Sequence, residues 1–290
     1  MENKFCEAIG AKGMSKNMGD PRPIGIFDSG VGGLTVAREI HRLLPGESTI
    51  YVGDTARVPY GTKTPRQLLA YAHDIIHFLL SQNVKAVVIA CGTSSANTYG
   101  QLQIDFPSLP LVDVITPGVD CCAHLVQENP GLRLGIIATA ATIKSGLFSQ
   151  LLAEKCPNTE VYAKACPLFA SMVEAGLPAS HPAVTFAVKT YLADLRGKID
   201  ALVLGCTHYP LLTNALAATL GDVDFINIGE ATALATRAKL AQLGLLAGSD
   251  AKPTHRYYVT GPGDVFRTTG SVILGEACEP ESCLSSRTTD

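Results

Sequence analysis

Two short apolar stretches that each end in a cysteine constrain the fold more than any other feature. The first runs from Val84 to Cys91 and the second from Ile199 to Cys206. Each is rich in β-branched residues, as in a strand buried on both faces of a parallel sheet. Open α/β sheets bind ligands at the carboxyl ends of their strands, so each thiol is predicted to lie at a ligand-binding edge. Two thiols presented alike indicate a pair that acts on one substrate.

Two pairs of similar features lie at nearly the same separation along the chain, which indicates an internal duplication. A short apolar strand followed by a turn occurs near Gly25 and again near Gly135. The separation of these two glycines is close to that of Cys91 from Cys206. Self-similarity at a fixed separation is the sequence signature of repeated structural units. We therefore predict two related α/β halves with one thiol each.

Length and composition agree with two folded domains. The chain has 290 residues, 47% hydrophobic and 17% charged, whereas one domain usually holds about 100–200 residues. A net charge of −3 without runs of Lys or Arg predicts no nucleic-acid partner. No apolar stretch approaches the roughly 20 residues of a membrane helix, and residues 1–20 lack the apolar centre of a signal peptide. These features predict a cytoplasmic protein with no membrane association.

The nine cysteines indicate a reducing compartment. Their number is odd and no Cys-x-x-Cys pair occurs, which argues against a disulfide framework. A buried cysteine usually serves as a small apolar side chain. Cys91 and Cys206 stand apart only because small, hydroxyl-bearing or imidazole-bearing residues follow them.

A glycine-rich turn follows the first predicted strand. The strand covers 24–27, the turn 28–33 and a helix 34–44. This geometry often binds phosphate, but the spacing is not that of a dinucleotide fingerprint and no Walker lysine follows. Asp28 and Ser29 remain candidates, with the carboxylate assisting a base or the turn amides holding a small anion. An N-cap role for the following helix is compatible with either.

Other candidates have simpler explanations beside the functional ones. Tyr60 and Gly61 end a polar loop and could bring a hydroxyl and an N–H group to a ligand, although a plain turn is the default. His73 and His77, four residues apart, could ligate a metal, but a packed or solvated helix face is the favoured explanation. Glu174 is a lone acidic residue, and such residues are usually solvated.

The thiol pair itself limits the chemistry. Acyl transfer needs one nucleophile, a structural zinc site needs four ligands, and disulfide exchange usually uses Cys-x-x-Cys. Proton removal from one face of a carbon and delivery to the other face needs two similar groups on opposite sides. A thiolate and a thiol fit that task, with Asp28 and His208 as partners that adjust them.

Five motifs in order resemble the glutamate racemase family of the cofactor-independent aspartate/glutamate racemase superfamily. They are Asp-Ser-Gly-Val-Gly-Gly-Leu-Thr-Val at 28–36, Gly-Asp-Thr-Ala-Arg-Val-Pro-Tyr-Gly at 53–61, Ala-Thr at 138–139 with Ala-Thr-Ile-Lys-Ser-Gly at 141–146, Ala-Cys-Pro-Leu-Phe at 165–169, and Leu-Gly-Cys-Thr-His-Tyr-Pro-Leu-Leu at 204–212. The resemblance covers roughly residues 22–270.

The resemblance implies two pseudo-symmetric, doubly wound α/β domains with the active site in the cleft between them. The second domain is then an insertion into the first, and closure of the two on the ligand predicts a hinge. The implied bounds are a flexible extension at 1–21, a first domain at 22–113 plus 226–275, a second domain at 114–225 and a frayed tail at 276–290.

The resemblance also implies residue roles. Cys91 takes the α-proton of D-glutamate with help from Asp28, and Cys206 takes that of L-glutamate with help from His208. Glu174 and Asp54 complete the catalytic set. The implied substrate-binding residues are Asp28, Ser29, Pro59, Tyr60, Gly61, Gly92, Thr93, Cys206, Thr207 and His208. The resemblance implies no cofactor and no metal. The D-glutamate formed would feed peptidoglycan synthesis. A homodimer is compatible with the family.

The chain departs from the family pattern at two places. Gly92 stands where asparagine is usual, so an amide contact to the substrate is lost, and Asn227-Ile228-Gly229-Glu230 replaces the common Asp-Ser-Gly-Glu. Both thiols are kept, so these changes concern substrate affinity or choice. Aspartate or another amino acid remains an alternative substrate, and a ligand-binding or regulatory protein on the same fold is the alternative of a different class.

Overall fold

The computed structural model describes residues 19–283. The predicted extension at 1–21 therefore lies outside the described residues except for its last three. The Asp20 N–H donates to the Leu246 carbonyl at 3.0 Å, and the Asp20 carboxylate pairs with Arg22 at 2.6 Å. Asp20 is thus part of the folded protein.

Ten strands form two sheets in the part of the chain that the structure describes, and every pairing is parallel. The strands are β1 Ile24–Asp28, β2 Thr49–Gly53, β3 Ala86–Ile89, β4 Leu111–Asp113, β5 Leu134–Ala138, β6 Val161–Ala165, β7 Ala201–Leu204, β8 Asp224–Ile226, β9 His255–Val259 and β10 Pro280–Ser282.

Helices connect the strands, as a parallel sheet requires. They are α1 Leu34–Leu43, α2 Pro65–Ser81, α3 Gly92–Asp105, α4 Ile115–Glu128, α5 Ala140–Ser145, α6 Leu147–Lys155, α7 Pro167–Glu174, α8 Pro182–Leu192, α9 Thr213–Leu220, α10 Ile228–Gln242 and α11 Asp264–Leu274. Within residues 19–283, no helix is both long and apolar enough to cross a membrane.

The two sheets repeat one strand order. The first sheet runs β10-β9-β2-β1-β3-β4 and the second runs β6-β5-β7-β8. The first four strands of each half therefore take the same 2-1-3-4 order, while β9 and β10 extend the first sheet after the chain has left the second. The predicted α/β fold with two related halves is confirmed.

Each thiol follows the strand at which the strand order reverses. The Ala90 N–H donates to the Phe27 carbonyl at 2.9 Å, and the Gly205 N–H donates to the Ile137 carbonyl at 2.8 Å. These bonds are equivalent in the two sheets, and a cysteine is the next residue in both. Crevices at such reversal points are where α/β sheets bind ligands.

The boundary between β4 and α4 has a local cause. β4 ends at Asp113, and α4 begins at Ile115. The Asp113 carboxylate accepts hydrogen bonds from the N–H groups of Ile115 and Thr116, both at 2.9 Å. This capping satisfies the first helical donors and stops the strand.

The prediction of a frayed tail from residue 276 is wrong for its described part. β10 pairs with β9 at the edge of the first sheet, and Cys278 is 0% exposed. Proline is tolerated as the first residue of an edge strand, where Pro280 lies. Two buried thiols, Cys278 and Cys283, anchor a segment whose polar composition concealed a strand.

A buried ion pair joins four distant segments of the first half. The Lys85 ammonium lies 2.5 Å from the Glu47 carboxylate, and their side chains are 0% and 3% exposed. Lys85 also donates to the Asp20 carbonyl at 2.7 Å, and Glu47 accepts from the Ala247 N–H at 2.7 Å. The pair therefore holds residues 20 and 247 against the ends of β2 and β3.

Removing one partner of this pair is expected to destabilise the fold strongly. In Lys85→Met the Glu47 carboxylate stays buried without its cation, and such losses are about 3–5 kcal/mol. Urea unfolding should show this loss, and the double variant Lys85→Met with Glu47→Leu should recover most of it because no unpaired charge remains. A loss below about 1 kcal/mol in the single variant would contradict the role given to the pair.

Candidate active site

A cavity of about 570 Å³ lies between the facing edges of the two sheets. Both thiols reach it from opposite halves. The predicted site residues that line it are Ser29, Pro59, Tyr60, Gly61, Cys91, Gly92, Thr93, Glu174, Cys206, Thr207 and His208. Asp28 and Asp54 are both 0% exposed and do not line the cavity, so they can act only through neighbouring groups.

A relay of three side chains leads away from Cys206. Its Sγ lies 3.5 Å from Nδ1 of His208, and the Nε2 of His208 lies 2.6 Å from Oε1 of Glu174. The same carboxylate oxygen accepts the Val31 N–H at 3.0 Å. Glu174 is therefore not a solvated surface residue, because it orients the imidazole and contacts the other half of the protein.

The glycines of the first turn make room for this relay. A Cβ atom on Gly30 would lie 2.1 Å from the Glu174 carboxylate, and one on Gly32 would lie 2.5 Å from the His208 ring. The turn therefore packs side chains of the second half against backbone of the first. Its glycines serve this close approach, and the Val31 amide is occupied by a protein carboxylate.

The relay favours a protonated imidazole. Burial lowers the pKa of His208, but the hydrogen bonds and charges of Cys206 and Glu174 outweigh it and hold this pKa well above its usual value. Burial raises the pKa of Glu174, whereas the hydrogen bond and charge of His208 bring it below its usual value. An imidazolium thus lies between a carboxylate and a sulfur, where it can pair with a thiolate.

Cys91 has different surroundings. It occupies the N-cap position of α3, but its side chain makes no capping hydrogen bond. Burial and the nearby Asp28 carboxylate raise the pKa of Cys91 well above its usual value. These surroundings favour the protonated thiol form of Cys91.

Asp28 is held by the turn that follows it. Its Oδ2 accepts the N–H groups of Gly30 at 3.2 Å and Gly33 at 3.0 Å, and its Oδ1 accepts the Thr207 hydroxyl at 3.5 Å. Burial raises the pKa of Asp28, and the charge of His208 opposes this. The turn amides thus bind a protein carboxylate close to Cys91. The N-cap interpretation of Asp28 is wrong, because Gly33 is the N-cap of α1 and no side chain caps this helix.

Asp54 fixes the orientation of Tyr60. The Tyr60 hydroxyl donates to Asp54 Oδ2 at 2.5 Å, and the Thr260 hydroxyl donates to Oδ1 at 2.6 Å. The hydroxyl that sequence reasoning offered to a ligand is therefore committed to a protein carboxylate. Tyr60 lines the cavity, and Asp54 positions it through the hydroxyl.

The Tyr60→Phe variant tests this assignment. We expect KM for the substrate to change by less than about 3-fold, because the hydroxyl does not face the ligand. The free energy of unfolding should fall by about 1–3 kcal/mol, since the buried Asp54 loses a donor. Steady-state kinetics and urea unfolding measure the two effects. A large rise in KM without loss of stability would instead place the hydroxyl on the substrate.

Thr93 belongs to a cluster of threonine hydroxyls between the halves, and sequence reasoning assigned no role to its two partners. Thr93 lies 2.8 Å from Thr139, and Thr139 lies 2.9 Å from Thr142, measured between Oγ1 atoms. Thr139 also lines the cavity and caps α5. The available signal was its place after β5, which matches the place of Ser29 after β1.

A face of α7 was also missed. Pro167, Ser171 and Glu174 line the cavity together with Leu168, Ala170 and Ala175. The first three are spaced four and three residues apart, so they share one helical face. Glu174 alone was singled out, although this spacing identifies its neighbours on the cavity.

The histidines proposed as alternative metal ligands lie elsewhere. His73 Nε2 is 2.8 Å from Asp105, and its ring packs against His77 and Phe106. Among residues 19–283 no group of three or more His, Cys, Asp or Glu side chains is arranged to hold a metal ion. The packed-face interpretation of these histidines agrees with the structure.

Comparison with known proteins decides the family. The family model described as Asp/Glu/Hydantoin racemase matches residues 24–236. The chain belongs to this racemase family. A glutamate racemase of Desulforudis audaxviator is 40% identical over 271 residues, covering 90% of this chain and 97% of the relative. The racemase fold thus spans nearly the whole described chain.

Solved structures of racemases superpose closely on this chain. Glutamate racemase from Francisella tularensis in complex with D-glutamate has a TM-score of 0.83 and 38% identity, covering 91% of this chain and 98% of that one. Escherichia coli glutamate racemase in complex with L-glutamate and activator UDP-MurNAc-ala has a TM-score of 0.72 and 27% identity, covering 90% and 98%. The racemases therefore share the arrangement of both halves.

Proposed function

We propose that this protein is a glutamate racemase that uses Cys91 and Cys206 as the two acid–base groups. The observation that carries the proposal is the placement of two thiols from opposite halves on one cavity. Both sides of a bound α-carbon are then within reach of a sulfur. The similarity to glutamate racemases over most of the chain supports glutamate as the substrate.

The different partners of the two thiols support a first step, from L-glutamate, at Cys206. Cys206, paired with the His208 imidazolium, takes the α-proton of L-glutamate as a thiolate. Cys91, whose pKa is raised by burial and by Asp28, delivers its proton to the opposite face. The product is D-glutamate, with Cys206 now a thiol and Cys91 a thiolate. In the reverse direction the two exchange roles.

Stabilising the carbanion is the difficult part of the reaction. The described lining contains no Lys or Arg side chain, so the carboxylates of the substrate must be held by hydroxyl and N–H donors. Ser29, Thr93 and Thr207 supply hydroxyls, and the N-terminus of α3 supplies amides with a favourable dipole. Their burial excludes water and strengthens these bonds.

The test is a racemisation assay with the intact protein. L-glutamate and D-glutamate should each be converted to the racemate, as followed by circular dichroism, without added cofactor. L-aspartate run in parallel should be converted about 10–200-fold more slowly, since one missing methylene in a binding pocket changes discrimination by this range. Faster conversion of aspartate than of glutamate would make aspartate the substrate. If neither amino acid were converted, a binding or regulatory role would be favoured.

The physiological role follows from the product. D-glutamate formed in the cytoplasm would supply peptidoglycan synthesis. A bacterial strain that requires D-glutamate for growth should grow without it when this chain is expressed, and the Cys206→Ser variant serves as the control. If the strain also grew with the Cys206→Ser variant, the rescue of growth would not depend on racemisation by this protein.

A further inference from the structure

The two thiol loops touch at a pair of glycines. Gly92 follows Cys91 and begins α3, and Gly205 precedes Cys206. A Cβ atom on Gly92 would lie 2.6 Å from the backbone oxygen of Gly205, whereas ordinary contact begins at 3.4 Å. Any side chain at position 92 therefore has to push the two loops apart.

Backbone hydrogen bonds fix both loops at this contact, so a displacement of either loop also strains the strand or helix next to it. The Gly205 N–H is bonded to the Ile137 carbonyl at 2.8 Å, and a Cβ on Gly205 would itself lie 2.9 Å from that carbonyl oxygen. On the other side, the Ser95 N–H donates to the Cys91 carbonyl at 2.8 Å and fixes the first turn of α3. The obstacle is backbone on both sides, not the end of a flexible side chain.

We propose that Gly92 is a positioning residue that sets the separation of the Cys91 and Cys206 thiols by allowing the two loops to touch. The inference rests on the proposed two-thiol racemisation. The proposal gives a role of its own to Gly92, which stands where asparagine is usual. The glycine is fitted to a closer approach of the halves, so introducing asparagine impairs this protein instead of restoring a lost contact.

The expected effect follows from the displacement. Relief of the contact requires a shift of about 0.8 Å, the difference between 3.4 and 2.6 Å. A misplacement of about 1 Å at reacting groups costs roughly 10²-fold in rate. Alanine is a better helix former than glycine, so Gly92→Ala does not weaken α3 and its loss of activity arises from the contact.

The experiment compares Gly92→Ala and Gly92→Asn with Gly100→Ala. Gly100 lies on the same helix, but nothing lies within 4 Å of a Cβ built there. We expect kcat for glutamate racemisation to fall about 10²-fold in both Gly92 variants and to stay unchanged in Gly100→Ala. The separation of the Cys91 and Cys206 thiols is measured independently with dibromobimane, which fluoresces strongly once it bridges two thiols. Loss of this fluorescence in Cys206→Ser identifies the bridged pair. Bridging should slow in the Gly92 variants.

Two results would overturn the proposal. One is a Gly92→Asn variant with wild-type kcat or higher. The other is bridging of Cys91 and Cys206 at the wild-type rate in both Gly92 variants, with alkylation of single thiols also unchanged. If the wild-type protein does not racemise glutamate while bridging still depends on Gly92, the proposed function fails and the spacing role stands. The alanine variant keeps the test valid if the asparagine variant does not fold.

Discussion

Replacing either Cys91 or Cys206 with serine is expected to reduce racemisation by at least about 10³-fold in both directions. One positioned acid or base contributes about 10²–10⁴-fold, and a serine hydroxyl is a far weaker acid than a thiol. Each turnover uses both groups, so neither variant can work in one direction alone. L- and D-glutamate have equal free energy, and kcat/KM must therefore fall by the same factor from both sides.

A matched control separates the thiol pair from cysteine substitution in general. Cys156 is buried at the end of α6 and does not line the cavity. Cys156→Ser should keep at least half of the wild-type kcat. Activity of Cys91→Ser or Cys206→Ser above one tenth of wild type would show that the remaining thiol suffices, and the two-thiol mechanism would then be wrong.

His208→Asn is expected to lose about 10²–10³-fold in kcat, with a changed pH profile. Despite burial, the pKa of His208 is held well above its usual value by Cys206 and Glu174, so an imidazolium faces the Cys206 sulfur at 3.5 Å. Asparagine carries no charge, and the variant therefore lacks this cationic partner. Wild-type activity should fall at high pH, where the imidazolium loses its proton, and this fall should be absent from the variant.

The companion variant Glu174→Gln tests the contact between the halves. The raised pKa of His208 gives stability that is complete below about pH 6.5 and is lost as pH rises through the folded value. The lowered pKa of Glu174 gives stability that is complete above about pH 4.5 and is lost on acidification. The difference in Tm between wild type and variant should be largest between these limits. A difference that does not depend on pH would contradict this ion pair.

Much of the fold was predictable because its signals are local. The β-branched runs before Cys91 and Cys206 and the turn after β1 each specify their element within a few residues. Parallel strand order then places the ends of β3 and β7 at reversal points. The location of the two thiols was therefore readable from short windows of sequence.

The features that were missed depend on long-range packing. β10 is held by its pairing with β9, and Cys278 just before it lies beside Gly270 of α11, so the polar residues of β10 gave no strand signal. The Tyr60 hydroxyl is claimed by Asp54, whose second partner, Thr260, is 206 residues away. The contact of Gly92 with Gly205 joins the two sheets. A local sequence pattern carries no information about contacts between residues that lie so far apart in the chain.

The most direct test of the two-thiol mechanism is the fate of deuterium in the first few per cent of reaction. L-glutamate is incubated with the protein in deuterated water, and both enantiomers are separated and analysed by mass spectrometry. The account predicts α-deuterium in nearly all of the D-glutamate formed and almost none in the remaining L-glutamate, because Cys91 supplies a solvent-derived proton from the opposite face. D-glutamate that retains the original proton, or equal early labelling of both enantiomers, would contradict it.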